Sequence, residues 1–133
     1  MRRRTDPKRE PQVQQASSKL LINEPPLQVL PTLASLFGLN EAIVLQQLHY
    51  WLQMSENEHD GFLWVYNTYD QWKKQFPFWD KRTIQRAFTS LEEQQIIKSC
   101  QPEAHEWNQR KWYRIDYSAL EDEAVKAAAL KAA

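Results

Sequence analysis

Between Thr68 and Gln95 the sequence specifies two helices with only a few residues between them, and this constrains the fold more than any other feature. Thr68 with Gln71 three positions on forms a capping box, in which the hydroxyl accepts from a free backbone amide and the glutamine reaches back to the cap. The helix it opens runs to about Phe76, where Pro77 ends it. Asp80 then offers its carboxylate to the open amides of a second helix, which runs to about Gln95. Ile84, Ala87, Phe88 and Leu91 fall on one face of that second helix, the spacing of a helix docked on a core.

The flanking segments follow from the same signals. Leu27 to Phe37 predicts a short helix with Pro31 near its start and Gly38 as its stop. Asn40 is a good cap for the next helix, with Glu41 in its first turn, and the apolar pattern carries it to about Met54. Val44, Leu45, Leu48, Trp51 and Leu52 share one face of it, while Ile43, Tyr50 and Met54 form a second apolar flank. A helix apolar nearly all round belongs at the centre of a core or between subunits. Self-association is therefore expected through Ile43, Tyr50 and Met54, joined by Leu20 and Ile22 from the apolar segment upstream.

Ser55 to Gly61 reads as a polar loop and Phe62 to Tyr66 as a strand. Ile96 to Gln101 and Arg110 to Asp116 read as a hairpin around a polar loop, Pro102 to Gln109. Ser118 with Glu121 repeats the capping-box pattern and opens an Ala-rich helix. The expected order is helix, strand, helix, helix, strand, loop, strand. That order predicts a winged helix-turn-helix, a mostly helical α+β fold with a small sheet and helical extensions at both ends. Residues 1–18, with Val13 as their one sizeable apolar side chain, read as a disordered basic arm. Residues 19–117 make the winged-helix domain, and 118–133 the C-terminal Ala-rich helix.

Charge is distributed unevenly along a chain whose 17 basic and 17 acidic residues cancel. Residues 20–68 hold no Lys or Arg and five acidic groups, whereas residues 69–114 hold nine basic and six acidic ones. A basic segment thus coincides with the paired helices and hairpin, where a footprint for DNA can sit. Opposite the core face of the second helix lie Arg82, Arg86, Thr89 and Glu93, with Gln85 flanking and Lys81 near the start. Arginine suits bidentate contact with guanine or phosphate, and glutamine suits adenine. Lys98, Arg110, Lys111 and Arg114 in the hairpin can hold phosphates, and His105, Trp107, Asn108 and Gln109 at the loop tip can enter a minor groove. The tryptophans and tyrosines from Tyr50 to Tyr113 could stack on single-stranded bases, but their positions in the expected elements assign most of them to the core.

Catalytic signals are few. The two glycines, Gly38 and Gly61, make no phosphate-cradling loop, and His49, His59 and His105 lack the spacing of a metal site. Cys100 has no partner in the sequence, which fits a reducing compartment. Glu56, Glu58, His59 and Asp60 cluster only as a polar loop does. A non-enzymatic protein without a cofactor is expected. No apolar stretch approaches the roughly 18 residues of a membrane span, and no signal-peptide core follows the basic N-terminus, so a cytoplasmic protein without membrane contact is expected.

Several blocks together resemble a known family. They are Ile22-Asn23-Glu24-Pro25-Pro26-Leu27-Gln28-Val29-Leu30-Pro31, Gly38-Leu39-Asn40-Glu41-Ala42 and Gln47-Leu48-His49-Tyr50-Trp51-Leu52. Further along come Trp64-Val65-Tyr66-Asn67-Thr68-Tyr69, Phe76-Pro77-Phe78-Trp79, Arg82-Thr83-Ile84-Gln85-Arg86 and Lys111-Trp112-Tyr113-Arg114-Ile115-Asp116-Tyr117. Over about residues 20–120 the chain resembles the N-terminal winged-helix domain of DnaD-like replication proteins and of phage and plasmid replisome organisers. The resemblance implies origin binding or helicase recruitment on a mobile element, with self-association through this domain. Members commonly carry a second, C-terminal DNA-binding domain, where this chain has Ala-rich sequence. Expected partners are double-stranded DNA, a second copy of the chain, and a helicase or its loader. A transcriptional repressor and a protein-interaction module of the same fold are the alternatives.

Overall fold

Gly38 decides how the first two helices meet. In the computed structural model, which describes residues 24–102 and 111–132, its backbone lies at φ 113° and ψ 152°. Its amide donates to the Ala34 carbonyl at 3.0 Å, closing helix α1 (Pro31–Phe37), and its carbonyl accepts from the Ala42 amide at 2.9 Å, opening α2 (Leu39–Leu52). One residue thus ends one helix and starts the next. Helix α1 begins at Pro31, not Leu27, because proline can only occupy the first turn. Asn40, expected to cap α2, lies inside it, since Gly38 already takes the capping position. A side chain at this positive φ is strained, so Gly38→Ala should cost about 1–3 kcal/mol, read as a lower urea midpoint. An unchanged midpoint would refute the shared-cap geometry.

Among the described residues the remaining elements are β1 (Asn57–His59), β2 (Phe62–Tyr66), α3 (Tyr69–Gln75), α4 (Lys81–Glu93), β3 (Ile97–Cys100), β4 (Trp112–Ile115) and α5 (Tyr117–Ala132). The four strands form one antiparallel sheet in the order β1-β2-β4-β3. Strand β1 corrects the reading of residues 55–61 as a loop. His59 pairs with Phe62, leaving Asp60-Gly61 as a two-residue turn in which both residues have positive φ, 53° and 80°. Asp-Gly is a preferred dipeptide for that turn because it alone needs the left-handed region twice.

Helix α2 lies at the centre, with Ala42, Val44, Leu45, Leu48 and Leu52 buried. It packs on α4 and on the inner sheet face, where Val65, Tyr113, Ile97 and Ile115 are buried. Gln75 ties α2 to α3, its Oε1 accepting from both the Trp51 indole (2.7 Å) and the Gln47 amide (2.9 Å). Helix α5 is capped by Asp116, whose carboxylate accepts from the Ala119 amide at 3.1 Å, and not by the expected Ser118. Ala119 and Leu120 pack on the core, while Val125 and Leu130 are exposed.

The described residues are therefore mixed α+β, five helices with a small four-stranded sheet, an arrangement compatible with the winged-helix expectation. None of their helices is long and apolar enough to cross a membrane.

Candidate nucleic-acid interface

The paired helices α3 and α4 are held by four local devices. At the start of α3 the capping box forms in full: Thr68 Oγ1 accepts from the Gln71 amide (3.2 Å), and the Thr68 amide donates to Gln71 Oε1 (2.8 Å). Between the helices, Lys73 donates its ammonium to the carbonyls of Pro77 (3.2 Å) and Trp79, closing the turn. Phe76, fully buried, anchors that turn, its ring 6.1 Å from Trp72 and 5.0 Å from Trp79 between centroids. Asp80 Oδ1 accepts from the Thr83 amide at 2.8 Å and starts α4.

The hydrogen bonds from Thr83 hold the Asp80 carboxyl below its ordinary value, with Lys73 and Arg82 adding a smaller pull. A carboxylate lowered in the native state supports folding above its unfolded value of 3.8 and loses that contribution as pH falls through the lowered one. The melting temperatures of the native chain and of Asp80→Leu, which cannot cap, should therefore converge in acid. A gap that widens as pH falls would contradict this.

On α4, Ile84, Ala87, Phe88 and Leu91 are buried, as expected from their spacing. Lys81, Arg82, Gln85, Arg86 and Thr89 are all exposed on the other side. Among the described residues no ion pair engages Arg82 or Arg86. The two arginines border a shallow hollow with Gln85, Thr89 and Glu93. Both guanidiniums are thus available to an outside anion or base edge. Lys81 sits over the Tyr69 ring, 5.0 Å from its centroid.

The hairpin cations are less free. Lys98 lies 4.0 Å from Asp116 and Lys111 lies 3.6 Å from Glu92. Arg114 departs furthest from the expected phosphate contact. Its guanidinium lies 3.7 Å from the Phe62 ring centroid and 5.4 Å from that of Trp64, and its Nε is buried without a hydrogen-bond partner. It covers the aromatic outer face of the sheet, because the register of β2 and β4 brings those side chains together. Arg110 and the loop-tip residues His105, Trp107, Asn108 and Gln109 lie outside the described residues, as do Leu20, Ile22 and the basic arm. Of the expected self-association residues, Tyr50 and Met54 are 54% and 52% exposed, whereas Ile43 is half-buried against the core.

One feature of this face has no single-segment signal in the sequence. Asn67 from the link after β2, Tyr69 and Trp72 from α3, Gln85 and Phe88 from α4, and Tyr113 from β4 line a cleft of about 420 Å³ beside the arginines. Burial pushes the Tyr69 and Tyr113 hydroxyls above their ordinary range, with the Glu92 carboxylate adding to both shifts.

Comparison with protein-family models, curated proteins and solved structures finds no match to this chain.

Proposed function

We propose that this chain is a winged-helix protein that binds double-stranded DNA through α4, with Arg82 and Arg86 as its principal contacts. The observation that carries this reading is the pair of exposed guanidiniums, without an ion pair among the described residues, on a helix whose opposite face is buried. Gln85 and Thr89 flank them as hydrogen-bonding side chains, and Lys81, Lys98 and Lys111 supply phosphate contacts at the margins. The ammoniums of Lys98 and Lys111 must leave Asp116 and Glu92 to make those contacts, so they contribute less than free lysines would. The resemblance of several sequence blocks to DnaD-like proteins is what suggests a role in replication initiation or replisome organisation on a mobile element. A helicase or its loader is the protein partner this implies, in the cytoplasm.

The test is titration of the full chain against duplexes drawn from its own flanking DNA and against scrambled duplexes, at several salt concentrations. Binding should weaken steeply with salt, since each phosphate contact releases counterions. Footprints repeated over an origin region support the replication role. The same affinity at all salts, or no binding near physiological ionic strength, would overturn the proposal.

The homodimer belongs to the same proposal. Tyr50 and Met54 on α2 offer exposed apolar surface, and stable dimers bury about 1,200 Å² or more in total. Light scattering should give twice the monomer mass, and Tyr50→Glu with Met54→Glu should halve it. A monomer at tens of micromolar would remove the dimer.

A further inference from the structure

The cleft beside α4 is lined by more aromatic side chains than the arginine-bordered hollow on the same helix. Its volume, about 420 Å³, lies within the roughly 300–1,000 Å³ of small-ligand sites. Its floor is built from packed rings, with Phe88 5.1 Å from Trp72 and 4.6 Å from Tyr113 between centroids. Tyr69 stands at the rim, 38% exposed. Asn67, Gln85 and Thr89 add two side-chain amides and a hydroxyl to the residues that line the same cleft. An amide sets a donor beside an acceptor, which is also what the edge of a nucleobase presents.

Charge narrows the ligand further. Glu92 is the one carboxylate among the described lining residues, and it is already engaged by Lys111 at 3.6 Å and by the Ser99 hydroxyl at 2.8 Å. Lys111 lines the same cleft and Lys81 lies over the Tyr69 ring at its rim, so an anion entering the cleft meets an ammonium on either side. A flat organic cation, a frequent guest of aromatic pockets, finds the one lining carboxylate already engaged. A wholly apolar guest would leave the two amides without partners. An aromatic ring with polar edges and an attached anion satisfies every group.

We propose that this cleft binds a nucleotide, with the base stacked at Tyr69 and read by Asn67 and Gln85, and the phosphate held by Lys111. The nucleotide comes either free in solution or as an unpaired residue of a DNA strand. Gln85 and Thr89 belong both to the cleft and to the outward face of α4. An occupied cleft therefore alters duplex binding, and duplex binding alters nucleotide affinity by the same factor.

The experiment is a fluorescence titration, with Trp72 in the cleft floor as reporter, against each deoxynucleoside monophosphate and against single-stranded homopolymers about ten nucleotides long. Tyr69→Ala should weaken binding about tenfold or more, as expected for loss of base stacking, whereas Tyr69→Phe should retain it. Lys111→Ala, at an exposed position that folding does not need, should weaken it as well. Saturable binding of monophosphates with this variant pattern identifies a free nucleotide. The same pattern for homopolymers alone identifies a residue within a strand. Arg82→Ala with Arg86→Ala should leave the monophosphate affinity unchanged while lowering affinity for a strand, whose further phosphates meet those arginines, which separates this site from the duplex surface. Absence of binding by either ligand, or binding indifferent to Tyr69→Ala and Lys111→Ala, would overturn the proposal.

Discussion

Replacing Arg82 and Arg86 together by alanine should abolish preference for a specific duplex while leaving the fold intact. Each bidentate base contact contributes roughly 1–3 kcal/mol of discrimination, so each single variant should lose about 5–150-fold in specific affinity and relax preference at one base pair. Folding should survive because both side chains are exposed and neither is held in an ion pair among the described residues. Circular dichroism and the urea midpoint serve as controls. Lys98→Ala and Lys111→Ala should act differently, weakening specific and scrambled duplexes alike and lowering the salt slope by at most about one unit each. Equal affinity of the native chain and the double variant for both duplexes would remove α4 as the recognition element. It would leave the protein-interaction reading in its place.

The largest effect on stability is expected from Phe76→Ala. The ring is fully buried and meets Trp72, Phe78 and Trp79 at centroid separations of 6.1, 6.4 and 5.0 Å. Deleting a buried phenylalanine typically costs about 3–5 kcal/mol, because the cavity left behind collapses only in part. Set against a usual total of about 5–15 kcal/mol, that loss brings the domain close to unfolding at moderate temperature. Phe76 also joins α3 to α4, so the variant should show weaker DNA binding in proportion to its unfolded fraction. Urea unfolding followed by tryptophan fluorescence gives the number directly. A loss below about 1 kcal/mol would mean that the ring does not anchor the turn.

The helices that carry the candidate interface were legible because their determinants are local. Thr68 and Gln71, or Asp80 and Thr83, sit three residues apart, and the apolar face of α4 repeats within a few turns. Strand β1 was hidden for the opposite reason. Asn57, Glu58 and His59 carry no apolar alternation, and their pairing is dictated by the Asp60-Gly61 turn rather than by the strand itself. The start of α2 turned on a competition between two capping residues, and the one with the permissive backbone won. Arg114 could not be placed from its neighbours at all. Its position over Phe62 and Trp64 follows from strand register, which joins residues about fifty apart in the chain. The cleft shares that difficulty, since its walls come from α3, α4 and β4 and no one segment reports it.

Strand β1 has a consequence for how the molecule behaves in a crowd. Without it, β2 would end the sheet with a row of open amides and carbonyls beside Phe62 and Leu63, which are 48% and 47% exposed. Such an edge is a template on which other chains add strands without limit. A three-residue ribbon of Asn, Glu and His, folded back through a two-residue turn, occupies it instead. The ribbon is too short and too polar to be a template in turn. At that end the sheet offers only three polar residues of edge backbone, which disfavours fibrous growth.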